Sequence, residues 1–210
     1  MTVQVAHRNF GFTLVEIAIV VAIISLLMVV VFKGQSLVDQ AHTSDIIATM
    51  KDLRLATDTF KQKFHYLPGD FPVATGANQE ISGVSAACSI GGAGAGNGNG
   101  IIEANESACA TEHLVRAELI KGDPTTPIST RQGAVWLAYR DNSGAQTAYI
   151  APVQNVIVLS NISCSMALEI DRKLDDGILT AGTIRASKDN TFCMTAGNEK
   201  VPLVAFAMAL

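Results

Sequence analysis

The sequence predicts an α+β protein in which a long N-terminal helix packs on a small antiparallel sheet. Three observations predict it. Residues 12–32 form an apolar run of 21 residues with one ionisable group, Glu16. An apolar stripe at three- and four-residue steps then continues to Leu67, as on one face of a helix. Beyond it come short apolar stretches separated by turn signals, the pattern of strands in a small sheet.

The apolar run comes first. At roughly 1.5 Å per residue it makes about 30 Å of helix, the thickness of a bilayer's hydrocarbon core. It is too long for the apolar part of a secretory signal, and no small-x-small cleavage site follows Phe32 and Lys33. By length it is a transmembrane anchor. Arg8 and Lys33 flank it almost evenly, so charge does not orient it. Cys88, Cys109, Cys164 and Cys193 all follow the run and contain no C-x-x-C. An even count beyond an anchor suggests two disulfides in an oxidising compartment, which places the C-terminal part outside the cytoplasm. Four buried thiols in a cytosolic domain is the competing reading. Glu16 is the anomaly, because a carboxylate in lipid costs around 3 kcal/mol. It has no cationic partner nearby in the sequence, so it either stays hydrated at the interface or meets a cation from elsewhere.

Leu37, Ala41, Ile46, Ile47, Met50, Leu53, Ala56, Phe60, Phe64 and Leu67 carry the stripe, with Asp and Lys mostly between them. The segment Leu67-Pro68-Gly69-Asp70-Phe71-Pro72 ends it. One helix over residues 12 to about 66 is expected, the alternative being two helices broken at Gly34. Residues 73–105 read as loop. Their Gly-rich run, residues 91–100, lacks the phosphate-binding spacings and is expected to be a flexible surface loop. Asn97, Asn99, Glu103 and Glu106 offer the oxygens calcium prefers, a weak candidate because the run itself has no Asp.

Residues 111–121 read as a short helix closed by Gly122. Residues 134–139 and 147–151 flank Asp141-Asn142-Ser143-Gly144, a hairpin signal, and 156–160 is a third strand. Residues 165–174 form another helix, stopped by Asp175-Asp176-Gly177, and 183–186 and 201–207 are the last strands. Of the three connectivities four cysteines allow, local pairing is the simplest: Cys88 with Cys109 and Cys164 with Cys193. Each would contribute roughly 3 kcal/mol by limiting the unfolded chain.

The net charge is −4 and no Lys/Arg cluster stands out, so nucleic acid is not an expected partner. A membrane-anchored periplasmic enzyme or binding protein is the competing class. Neither H-E-x-x-H nor G-x-S-x-G occurs. His42 and His65 lie on the long helix and His113 on a short one, and Asp175-Asp176 closes a helix rather than forming an acid–base pair. An enzyme would need a deep cleft of convergent polar groups.

Gly11-Phe12-Thr13-Leu14-Val15-Glu16, followed by the apolar run, resembles the prepilin peptidase site of type IV pilins and type II secretion pseudopilins. The resemblance implies a pilin fold and a structural subunit, a minor pilin or pseudopilin, with no enzymatic activity and no cofactor. It implies that prepilin peptidase/N-methyltransferase cleaves between Gly11 and Phe12 and methylates the new Phe12 amine. Glu16 is then fifth in the mature chain, where the family's glutamate answers the N-terminal amine of a neighbouring subunit. The implied organisation is a leader (1–11), a transmembrane and assembly helix (12–32), an amphipathic half of the spine (33–67) and a globular α+β domain (68–210). The partners it implies are the peptidase, other pilin or pseudopilin subunits, an inner-membrane assembly platform and, before assembly, membrane lipid. The location it implies is the bacterial inner membrane, single-pass with a periplasmic C-terminal domain, and then a filament in the periplasm or on the cell surface. The second cysteine pair resembles the C-terminal disulfide loop of many pilins.

Overall fold

The computed structural model describes residues 13–142, 153–203 and 205–210, apart from the side chains of 29–36, 78 and 142. The chain divides into two compact units, Met1–Ala41 and His42–Leu210. Helix α1 runs from Leu14 to Phe64, 51 residues, with no break at Gly34. A single helical Gly costs only about 1 kcal/mol, too little to interrupt a ladder extended on both sides. The helix stops where His65 takes a left-handed φ of 64°. Pro68, three residues on, cannot resume it.

In the second unit, Ile46, Met50, Leu53, Ala56 and Phe60 are buried on one face of α1. Their steps of three and four place them in one line along the helix. Leu37 is 65% exposed and Ala41 is also exposed, so the buried stripe is shorter than the sequence pattern.

This face packs on a five-stranded sheet of β1 (Ile128–Ser129), β2 (Ala134–Tyr139), β3 (Asn155–Leu159), β5 (Ile184–Ala186) and β7 (Phe206–Ala209). The spatial order is β1-β2-β3-β7-β5, every neighbouring pair antiparallel. Val135, Leu137, Ile157, Leu159, Phe206 and Met208 join the same core as α1. The alternating residues Ala138, Val156, Val158, Ala207 and Ala209 form a smaller apolar layer on the other face. β3 is therefore buried on both sides, and its sequence is apolar from Val156 to Leu159 without a break. A two-stranded sheet pairs β4 (Ile162–Ser163) with β6 (Pro202–Leu203).

Two elements depart from the expected boundaries. Helix α2 covers Ser107–Arg116, not 111–121. It closes in a Schellman turn: Leu119 N–H bonds to Leu114 O, Glu118 N–H to Val115 O, and Glu118 supplies the left-handed residue at φ 60°. β2 lies between β1 and β3 and pairs with β3 in register from Val135 with Leu159 to Tyr139 with Asn155. The strand expected at 147–151 lies outside the described residues. The stretch 201–207 is divided between β6 and β7. Helix α3 (Cys164–Leu174) begins at Ser163, whose hydroxyl caps Met166 N–H, and helix α4 (Asn190–Met194) is capped by Asp189. Cys88 is bonded to Cys109 and Cys164 to Cys193, with Cα atoms 5.4 and 5.1 Å apart.

Candidate functional site

The first turn of α1 holds its start in place through a reciprocal cap. Thr13 N–H and Thr13 Oγ1 donate to Glu16 Oε2 at 2.9 and 2.8 Å, and Glu16 N–H donates back to Thr13 Oγ1 at 3.2 Å. This is the capping box, with Thr as the cap and Glu three residues on. Thr13-Leu14-Val15-Glu16 fits this pattern, so the Glu16 carboxylate has a local role beside the two expected for it, hydration at the interface or pairing with a cation from elsewhere. From Ile17 to Met28 the helix is apolar around its whole circumference. Leu14 is 86% exposed, and Val15, Ile17, Ile19, Val20, Ile23, Ile24 and Leu27 are each at least 46% exposed. A helix apolar on all sides buries itself in lipid or among other helices. Ser25 alone interrupts it with a hydroxyl, which is turned back onto Val21 O.

Among the described residues no helix is long and apolar enough to cross a membrane. Of the 21-residue run, Phe12 and the side chains past Met28 are outside the description, and the remainder is shorter than the ~20 residues a span needs. The expected cleavage residues Gly11 and Phe12 also lie outside the described residues.

Residues 6–32 match the family model described as the prokaryotic N-terminal methylation motif. The chain carries the signal motif of type IV pilins and pseudopilins. No match was found among curated proteins or among solved structures. The motif implies a membrane-anchored precursor of the pilin type and assembly with other pilin subunits in general. It does not reach the second unit.

In that second unit the Gly-rich run is organised around two buried carboxylates. Asp70, 1% exposed, accepts N–H groups from Gly98 and Asn99 on Oδ1 at 2.7 and 3.0 Å and from Gly100 on Oδ2 at 2.7 Å. Glu106 accepts from Asn97 N–H at 3.2 Å and Glu103 N–H at 2.9 Å. Burial pushes the Glu106 carboxyl up from its ordinary value, and the charges of Asp70 and Glu103 add to this against those two hydrogen bonds. Gly96 passes so close to the Asp70 backbone carbonyl that a Cβ there would overlap it. Of the weak calcium set, Asn97 Oδ1 and Asn99 Oδ1 accept the N–H groups of Asn99 and Ile101, and Asn99 Nδ2 donates to Glu103. These oxygens serve the loop's own backbone.

His113, expected on a short helix, lies on α2 and is fully buried beside Phe60 and Phe71. Its Nδ1 accepts Gly69 N–H at 3.0 Å, which puts the proton on Nε2, 3.4 Å from Cys88 O. Desolvation lowers its pKa to about 4 despite the Cys88 carbonyl and the Glu112 charge. It is a neutral strut between the turn after α1 and the first disulfide. Two open grooves lie nearby. One of about 490 Å³ is lined mainly by Leu53, Leu55, Ala56, Leu119 and Ile120, and another of about 430 Å³ includes Asp58, His65 and Asp70. In the second groove the Asp70 carboxylate is already committed to the loop.

Proposed function

We propose that this chain is a structural subunit, a minor pilin or pseudopilin, of a type IV pilus-like filament. The observation that carries the reading is the pilin signal at residues 6–32, which takes in the apolar, all-round exposed start of α1, whose one carboxylate is fixed at the first turn. In this reading prepilin peptidase cuts between Gly11 and Phe12 and methylates the Phe12 amine. The helix holds the subunit in the inner membrane with the cysteine-bearing domain in the periplasm, where both disulfides can form. On entry to the filament the helix leaves lipid for a bundle of like helices. Apolar packing supplies most of the association, and Glu16 sets the axial offset by meeting the Phe12 amine of a neighbour. A buried carboxylate and a buried ammonium are tolerable together and not apart. Both Thr13 donors use Oε2, and the reading assigns Oε1 to the neighbour's amine.

Mass spectrometry of the mature protein tests the processing: N-methyl-Phe12 should be its first residue, and an intact Met1 would sink the reading. The capping box sharpens the test of Glu16, because Gln satisfies the box as Glu does while carrying no charge. Glu16→Gln and Glu16→Ala should both be cleaved and reach the membrane at near wild-type levels, yet both should enter filaments poorly. If Glu16→Gln assembles normally and only Glu16→Ala fails, Glu16 starts the helix and does not pair with an amine.

A further inference from the structure

Helix α3 ends on a group of carboxylates that the filament reading does not use. Asp171, in its last turn, is fully buried, and neither of its carboxylate oxygens has a hydrogen-bond partner. Gly177 N–H is close enough to favour the charged form without reaching hydrogen-bond geometry. A carboxylate removed from water and left unpaired is costly, and such a group ordinarily has a partner. What it faces makes matters worse. One carboxylate oxygen from each of Asp171, Asp175 and Asp176 lies within 4.8 Å of the other two. The whole group sits at the C-terminus of α3, the negative end of the helix dipole, where anions are disfavoured and cations favoured. Arg172 is the neighbouring cation that acts on Asp171, and its effect is the smallest of those felt there. The ion pairs found among the described residues, Arg140–Asp141 and Lys173–Glu169, do not include any of the three.

The cluster is also built rather than incidental. Asp175 Oδ2 accepts Thr183 N–H at 2.6 Å and Ile184 N–H at 2.8 Å, and Asp176 Oδ1 accepts Ile178 N–H at 2.8 Å. Gly182, at φ 66°, lies where a Cβ would overlap the Asp175 carboxylate. Asn190 fixes the far side of the loop, accepting Leu179 N–H and donating to Gly177 O, each at 2.7 Å. Two of the three acids are thus held by backbone donors, and they converge on the third, which has none.

We propose that Asp171, Asp175 and Asp176 bind one calcium ion that ties the end of α3 to the loop leading into β5. The ligands are hard oxygens, which select calcium or magnesium over zinc or copper. Calcium takes its oxygens at 2.3–2.6 Å, so ligands on opposite sides of it stand roughly 5 Å apart, and it accepts irregular geometry. Magnesium requires a near-ideal octahedron at about 2.1 Å and gives up its water reluctantly, so an irregular group of protein carboxylates suits it less well. Asp176 is exposed and Asp175 half-buried, so water completes the shell. A site this open belongs in the affinity range of extracellular calcium modules, a Kd on the order of 10⁻⁴–10⁻³ M. The site is independent of the filament reading.

The test uses the full chain in detergent micelles, stripped of metal with chelator. Calcium chloride should titrate in with one equivalent of heat. At 5 mM it should raise the Tm by roughly 3–5 °C, while magnesium chloride at matched ionic strength does much less. Asp171→Asn and Asp176→Asn should each abolish the calcium-dependent shift. Without calcium, Asp171→Asn should melt no lower than the wild type, since it removes a buried, unpaired charge. That result separates loss of the site from loss of the fold. A wild-type protein that melts identically in calcium, magnesium and chelator overturns the proposal. So does a calcium shift that survives in both variants, which would place the ion elsewhere.

Discussion

Asp70→Asn is a small change in shape with a large expected effect. Asp70 is 1% exposed and holds three backbone N–H groups of the Gly-rich run at 2.7–3.0 Å. Hydrogen bonds to a charged acceptor are worth about 1.5–3 kcal/mol each, roughly twice a neutral one. Asparagine can keep Oδ1 for Gly98 and Asn99, but it points an NH₂ at Gly100 N–H, donor against donor. One bond is lost, two are weakened, and a buried donor is left over, for an expected loss of about 2–4 kcal/mol. Asp70→Ala leaves Gly100 N–H unanswered and reduces Gly98 and Asn99 N–H to their second acceptors, Asp70 O and Asn97 Oδ1, so it should cost more, about 3–5 kcal/mol, less than the plain sum of three bonds. Urea unfolding of the full chain in mild detergent, followed through the single tryptophan, Trp136 in β2, gives both values from the midpoints. The reasoning fails if Asp70→Asn lies within about 0.5 kcal/mol of the wild type, the scatter of an ordinary surface change. It also fails if Asn costs as much as Ala.

Gly96→Ala, which drives a methyl into the Asp70 carbonyl, should destabilise by about 2 kcal/mol or more by the same assay. His113 titrates near 4 in the fold against 6.5 unfolded, so the unfolded chain binds the extra proton between those values. Stability should therefore be complete above pH 6.5 and fall by about 3 kcal/mol as pH drops towards 4, and His113→Gln should flatten that profile. Asp171, pushed up to about 6 by burial and the neighbouring carboxylates, acts with the opposite sign, so the comparison is cleanest in an Asp171→Asn background. Non-reduced peptide mapping should return Cys88 with Cys109 and Cys164 with Cys193, and replacing either pair with alanine should cost roughly 3 kcal/mol in chemical unfolding.

Periodic features were legible in the sequence. The spine helix and the buried line from Ile46 to Phe60 follow from a roughly 3.6-residue repeat written into the residues themselves, and strands β2, β3 and β5 from short apolar stretches between turn signals. The α2 boundary was not legible, since its left-handed closing residue is Glu118, a residue type that seldom takes that role, while Gly122 offered a false stop. The Gly-rich run looked like a slack surface loop for a different reason. What orders it is Asp70, some thirty residues earlier in the chain, and no local window contains both. At the N-terminus the opposite happened. The capping box lies within four consecutive residues, Thr13 to Glu16, and needs no tertiary contact to form. Asp171 shows the same limit from the other side: an acid at the end of a polar helix reads as solvated, and only tertiary packing shows that it is buried.

The position of β7 bears on when the domain can form. β7 pairs with β3 on one side and β5 on the other, so two of the four ladders in the main sheet wait for residues 206–209. A chain made from its N-terminus has already released α1, both cysteine pairs and every other strand by then. Pairings so distant in sequence are slow to close, and the waiting chain exposes the apolar faces of β3 and α1. Cys164 and Cys193 thus become available to each other before the sheet can close, which makes oxidation an early event and sheet closure a late one. Any truncation that removes β7 should strand the polypeptide at that stage, with its crosslinks made and its hydrophobic core open.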